Sequence, residues 1–181
     1  METVIECKNV RRTFASRTMA MKKQEIVALN NLNFQVPRGI VFGLLGPNGA
    51  GKTTTIRILA TLLTPDSGEA RVLGFNVVSE AAKVRKRIGL ILSGERGLYG
   101  RLTGRENLRY FAALNHLSTD QSRRRVKEVL DIVGLTGAKD RPVEQYSRGM
   151  KQRLHVARGL LADPEILFMD EPTIGLDPMG A

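Results

Sequence analysis

Hydrophobic positions change their spacing several times along this chain, and each change predicts an element. A short strand pattern runs from Thr3 to Val10, followed by a polar, basic stretch from Ala15 to Glu25. Apolar residues then alternate through Leu32-Asn33-Phe34-Gln35-Val36, which predicts a second strand closed by the turn Pro37-Arg38-Gly39. The run Ile40-Val41-Phe42-Gly43-Leu44-Leu45 is apolar at successive positions, the pattern of a strand buried on both faces in a parallel sheet. A helix is predicted from Thr53 to Leu63, stopped by Pro65-Asp66-Ser67-Gly68, with a hairpin-like piece from Glu69 to Val78. Val84 to Leu92 reads as a helix end and a further strand.

From Gly94 to Leu161 the pattern is mostly helical. Thr103-Gly104-Arg105-Glu106 is a capping box, and Val126, Val129, Leu130 and Val133 recur at helical spacing before a stop at Gly134. Strand character returns at Ile166-Leu167-Phe168-Met169. The helices interrupt an α/β pattern, so residues 94–161 are expected to form an inserted helical subdomain within a single domain, with 1–93 and 162–181 as the α/β core. No internal repeat or low-complexity segment is visible.

Composition narrows the picture. A chain of 181 residues with 42% hydrophobic residues can bury one core, which excludes a disordered or collagen-like chain. The net charge is +10, yet residues 163–181 hold five acidic side chains and no basic one, so the preceding part carries +15. A single cysteine, Cys7, allows no internal disulfide, and the acidic N-terminus is unlike a secretory signal. Apolar runs fall far short of the roughly 18 residues of a membrane span. A reduced, intracellular chain is expected. Arg123-Arg124-Arg125 is expected on a solvated helical face, and His116 and His155 in packing or surface roles.

Two motifs carry chemistry. Gly46-Pro47-Asn48-Gly49-Ala50-Gly51-Lys52-Thr53 fits G-x-x-x-x-G-K-[ST] between a predicted strand and a predicted helix. Glycines let the backbone wrap phosphate oxygens, the helix start adds positive dipole, Lys52 adds a mobile charge, and Thr53 offers a hydroxyl to Mg²⁺, with Thr54 next to it. At Ile166-Leu167-Phe168-Met169-Asp170-Glu171 an apolar strand ends in two carboxylates. Apolar burial is expected to hold that strand next to the phosphate-loop strand, so Asp170 emerges at the sheet's carboxyl edge within reach of Mg²⁺ or its water shell, and Glu171 can polarise an attacking water.

Together with Tyr146-Ser147-Arg148-Gly149-Met150-Lys151-Gln152-Arg153, these motifs resemble the ATP-binding cassette family of transporter ATPases over essentially the whole chain. The resemblance implies an α/β fold: a phosphate-loop NTPase core with an N-terminal antiparallel β subdomain and an inserted helical subdomain. It implies ATP and Mg²⁺ as cofactors, and ATP hydrolysis with Glu171 and Lys52 as catalytic residues. It also implies a head-to-tail dimer, of two copies or with a paired second cassette, in which Ser147, Arg148 and Gly149 reach the nucleotide held by the other subunit. Here Tyr146, Arg148 and Met150 replace the leucine, a glycine and the glutamine of the family signature. Asp177 in Pro172-Thr173-Ile174-Gly175-Leu176-Asp177-Pro178 corresponds to the D-loop acid, Phe14 to an adenine-stacking aromatic, and Ser93 to the Q-loop glutamine, with Glu95 a possible substitute.

The segments Gly94-Glu95-Arg96-Gly97-Leu98-Tyr99 and Leu102 to Leu108 are similar to the drug, antibiotic and polysaccharide exporter branch. That implies a subunit at the cytoplasmic face of a membrane, powering export through a separate permease, with no nucleic acid partner. A soluble cassette ATPase acting on ribosomes or DNA is the alternative, although only 94 residues separate Lys52 from Ser147. A kinase sharing the phosphate loop is a third reading, one that needs neither Ser147 to Gly149 nor the Asp170-Glu171 pair. The family continues past the D-loop to a switch histidine that neither His116 nor His155 can supply, so the chain is expected to be C-terminally incomplete and to hydrolyse ATP poorly.

Overall fold

A computed structural model describes residues 2–17, 23–92 and 97–170, and the side chains at 16, 17, 23 and 24 lie outside that description. The chain divides into two compact units, residues 1–86 and 87–181.

The first unit is built on an antiparallel sheet of order β2-β1-β3-β4, with β1 at Thr3–Arg17, β2 at Lys23–Pro37, β3 at Ser67–Val72 and β4 at Phe75–Asn76. Val4, Ile5, Cys7, Val10, Leu29, Val36, Ala70 and Val72 are buried on it. The helix α1, Lys52–Leu59, buries Ile56, Ile58 and Leu59. It is shorter than the sequence predicts, because Ala60 caps it and Thr61 turns to a positive φ of 61°. The short helix α2, Ala81–Arg85, completes the unit.

The first two strands run well into the polar stretch that the sequence left unassigned. Arg12 pairs with Leu29, Thr13 with Val27 and Phe14 with Ile26, so backbone pairing carries the hairpin onward with Ile26 and Val27 exposed. Residues Ile40 to Leu45 differ from expectation in the opposite sense. They form no strand, and Val41 and Leu45 are almost fully exposed at 103% and 95%. An apolar run becomes a strand only where a neighbour takes its N–H and C=O groups, and no described residue pairs with this one. Within it, Phe42 stacks on Phe34 with ring centres 5.6 Å apart.

In the second unit β5, Ile88–Ile91, pairs in parallel with β6, Ile166–Met169, in register from Ile88↔Ile166 to Ile91↔Met169. The described pairing partner of β6 is β5, and the run at Ile40, expected as its neighbour, forms no strand. Three helices follow: α3 at Gly104–Leu114, α4 at Thr119–Ile132 and α5 at Arg148–Leu160, with single 3₁₀ turns at Thr136–Ala138 and Val143–Gln145. They close on Leu108, Ala112, Val126, Val129, Leu130, Leu135, Leu154 and Leu161. Each buried aliphatic side chain of this kind contributes about 1.5–3 kcal/mol.

Of the predicted α4 stripe, Val126, Val129 and Leu130 are buried while Val133 caps the helix, and Gly134 follows at a φ of 64°. Thr103 and Glu106 make both bonds of the predicted capping box, and Ser118 with Gln121 makes a second one at the start of α4. The triple arginine departs from its expected solvated face. Arg125 is turned inward, donating to the Leu160 carbonyl at 2.6 Å and the Leu161 carbonyl at 3.3 Å while pairing with Glu128 and Asp163. Those two carbonyls sit at the end of α5, where helix geometry leaves acceptors without partners. His155 is buried on α5, and His116 follows α3 at a φ of 59°.

Candidate phosphate-binding site

The loop from Gly46 to Gly51 turns tightly enough that glycine is required. Gly49 and Gly51 both have φ 84°, in the left-handed region that disfavours a side chain. Gly51 is the N-cap of α1, and no side chain caps the helix there. A Cβ on Gly51 would lie 2.5 Å from Leu29 Cδ2 and 2.6 Å from the Ala28 carbonyl oxygen, so the loop is pressed against β2 at this residue. A Cβ on Gly49 would meet nothing within 4 Å, so that side of the loop is open. Ala50 N–H donates to the Pro47 carbonyl at 3.2 Å, which closes the turn around Asn48.

Lys52 occupies the first position of α1 and folds back over this loop. Its Nζ donates to the Gly46 carbonyl at 2.7 Å and to the Pro47 carbonyl at 2.8 Å. Thr53 and Thr54 follow in the first helical turn, half-buried, and Thr55 Oγ1 donates to the Gly51 carbonyl at 2.9 Å. The ammonium thus lies across the open loop on oxygen acceptors, an uncapped helix start lies beside it, and the backbone at Gly49 can be approached closely. These residues fit a phosphate group.

Phe14 sits on β1 opposite Ile26 and is 38% exposed, with the Arg12 guanidinium 5.0 Å from its ring centre. Asp66 anchors the same stretch of β1. It accepts from the Thr13 hydroxyl at 2.8 Å, from the Thr13 N–H at 2.7 Å and from Arg12 at 2.7 Å. These bonds, the Thr13 hydroxyl foremost, hold its carboxyl below the ordinary aspartate value.

In the second unit, Asp170 ends β6 as the sequence expects, buried to 4% exposure, its N–H donating to the Ile91 carbonyl at 2.9 Å. Asp170 carries carboxylate oxygens, and in the first unit Thr53 carries a hydroxyl; both are hard donors of the class that Mg²⁺ takes. Among the described residues no group of three or more His, Cys, Asp and Glu forms a ready-made metal cage. Such a cage is not how Mg²⁺ is held beside phosphates.

Ser147 is the N-cap of α5, its hydroxyl accepting from the Met150 N–H at 3.2 Å, with Ser147 and Arg148 exposed. A Cβ on Gly149 would meet nothing within 4 Å, so the start of this helix is also open to close approach. Tyr146, a departure from the family signature, proves to be the anchor of the turn. It is buried, and its hydroxyl donates to the Ala138 carbonyl at 2.7 Å. Burial pushes that phenol upward in pKa and keeps it a donor. An aromatic residue immediately before an N-cap serine is the signal that the sequence offered for it. Ser93, Glu95, Glu171 and Asp177 lie outside the described residues.

Known proteins resemble this chain in sequence and in fold. The ABC transporter family pattern matches residues 29–174. The chain is 50% identical over 153 residues to the daunorubicin resistance ATP-binding protein DrrA3 of Streptomyces coeruleorubidus, covering 84% of this chain and 48% of that protein. It is 41% identical over 165 residues to the ABC transporter ATP-binding protein NatA of Bacillus subtilis strain 168, covering 91% of this chain and 67% of that protein. In structure it resembles the dimeric post-hydrolysis state of the ATP-binding cassette MJ0796 bound to ADP and Pi, with a TM-score of 0.82 and 29% identity, covering 97% of this chain and 77% of that one.

The fold is that of an α/β cassette with a phosphate loop. The chain belongs to the ABC transporter family, and it spans about half the length of the first of these relatives.

Proposed function

We propose that this chain is the ATP-binding and ATP-hydrolysing part of an export system that works through a separate membrane permease. The clasp of Lys52 over the glycine loop carries the reading, because its ammonium already rests on carbonyl oxygens in the place that phosphate oxygens would take. Bound MgATP supplies the phosphoanhydride whose hydrolysis releases free energy. Lys52 and the N–H groups of the loop, from Gly46, Pro47, Asn48, Gly49, Ala50 and Gly51 to Thr54, hold the phosphates, and Phe14 stacks on the base. Thr53 and Asp170 would supply oxygens to the cation, and Ser93 would stand where the family has its glutamine. Glu171 accepts the proton of the attacking water.

Dimer formation is part of the proposal. Ser147, Arg148 and Gly149 present an open helix start to the phosphate held by a partner cassette, and Asp177 links the two subunits. The dimeric MJ0796 cassette supports the arrangement, as do the names of the drug-resistance relatives for export. They do not favour the reading as a soluble ATPase on ribosomes or DNA. Among the described residues no helix is long and apolar enough to cross a membrane. Association with the cytoplasmic face therefore rests on the permease in this reading.

A fluorescent ATP analogue tests the site. Lys52→Ala should abolish its binding while the melting temperature stays close to that of the parent chain, and unchanged affinity would overturn the assignment. Glu171→Gln should accumulate an ATP-bound dimer by light scattering, and a variant that stays monomeric with MgATP would count against the cassette mechanism.

A further inference from the structure

The second unit holds a cleft of about 240 Å³ lined by Arg105 and Arg109 of α3, Arg123 and Lys127 of α4, and Thr136 and Lys139 of the turn that follows, above a floor of Val126 and Leu130. Five cations thus converge on one space from three directions. Arg105 and Arg109 stand one helical turn apart, and so do Arg123 and Lys127, so each helix places two like charges at the spacing where they repel. Folding alone gives no reason for both helices to turn those rows toward the same cavity. Acidic side chains answer only part of the charge: Asp140 pairs with Arg105 at 2.7 Å and Asp120 reaches Arg123 at 3.7 Å. Arg109, Lys127 and Lys139 make no ion pair within 4 Å among the described residues, although the Arg109 charge is felt by the Glu106 carboxyl.

We propose that this cleft binds an anion carrying a phosphate group, at a site separate from the glycine loop. The chemistry of the lining selects that class. Guanidinium forks match phosphate oxygens in pairs, and lysine adds a point charge. Thr136 supplies a hydroxyl, and no carboxylate lines the cavity to compete. A doubly charged tetrahedral oxyanion offers acceptors in several directions at once, which suits donors on α3, α4 and the turn better than a flat carboxylate does. The apolar floor accommodates the carbon side of a phosphate ester. Such an anion is either a soluble phosphate ester or the headgroup of an acidic phospholipid.

The test uses the Lys52→Ala chain, so that the glycine loop does not contribute. Pyrophosphate is titrated by calorimetry, and sedimentation is measured with vesicles of phosphatidylcholine alone or with phosphatidylglycerol. Arg109→Gln with Lys127→Gln should weaken whichever probe binds at least tenfold. Arg57→Gln with Lys86→Gln, which removes the same charge elsewhere, should leave it nearly unchanged. A loss with pyrophosphate assigns a soluble phosphate ester, and a loss confined to phosphatidylglycerol vesicles assigns a headgroup. If neither probe binds, or both double variants weaken binding equally, the cleft is not a phosphate site. Lys139→Gln, a milder single change, guards against a folding defect, with circular dichroism as the check.

Discussion

Gly104 has no side chain because Tyr146 occupies the space beside it: a Cβ there would lie 3.2 Å from the ring carbon Cζ and closer still to the hydroxyl. The start of α3 and the residue before the N-cap of α5 are thereby fitted to each other, and the Tyr146 hydroxyl is directed to the Ala138 carbonyl. Gly104→Ala should therefore destabilise the chain by about 1–3 kcal/mol despite the better helix propensity of alanine. Tyr146→Phe, which strands the carbonyl but keeps the ring, should cost about 1 kcal/mol. Urea unfolding of both variants measures these differences.

Arg125 satisfies two carbonyls at the end of α5 and pairs with two acids. Arg125→Ala should cost about 1–3 kcal/mol through the stranded acceptors. Arg125→Lys should recover little of it, because an ammonium lacks the fork that reaches both carbonyls. Arg124→Ala, on the exposed side, should fall within about 0.5 kcal/mol of the parent. Equal melting temperatures for the Arg125 and Arg124 variants would contradict the inward role of Arg125.

The lowered carboxyl of Asp66 gives stability a definite pH dependence. Its contribution is fully present above the unfolded aspartate value, about pH 4, and is lost as pH falls through the lower folded value. Melting temperature should drop over that acid range, and Asp66→Asn should flatten this part of the profile. A profile identical to that of the parent would remove Asp66 from the account.

Cys7 is buried on β1, and burial, assisted by Glu6, pushes its thiol up to about 12. The folded chain should react with a thiol-directed disulfide reagent at pH 8 far more slowly than the urea-unfolded chain, since only the thiolate attacks. Fast labelling of the folded protein would show that β1 opens readily.

Where local patterns and tertiary contacts agree, the sequence was readable. Thr103 and Glu106 cap a helix whose bonds lie within four residues, and the stripe at Val126, Val129 and Leu130 needs only a helix and one apolar partner. Ser118 and Gln121 carry the same capping signal at the start of α4. The glycine loop, Asp170 at the end of β6, and the Ser147 N-cap also stand on short-range geometry. Ile40 to Leu45 illustrates the other case, since its apolar character says nothing about which strand supplies its hydrogen bonds. The inward turn of Arg125 depends on Leu160 and Leu161, about 35 residues away, and no spacing rule announces such a contact.

The helix α5 joins two of these stretches. Ser147 heads it, Arg125 grips its far end, and after Pro164 the chain enters β6 and reaches Asp170. Gly89 and Gly159 let the helix approach β5 closely, since a Cβ on Gly89 would fall on the Gly159 carbonyl oxygen and one on Gly159 would stand 2.9 Å from the Ile91 side chain. A rod of 13 residues, about 20 Å long, seated this closely, has little room to bend. The Ser147 N-cap and the arginine grip on the Leu160 carbonyl therefore stand at the two ends of one stiff element.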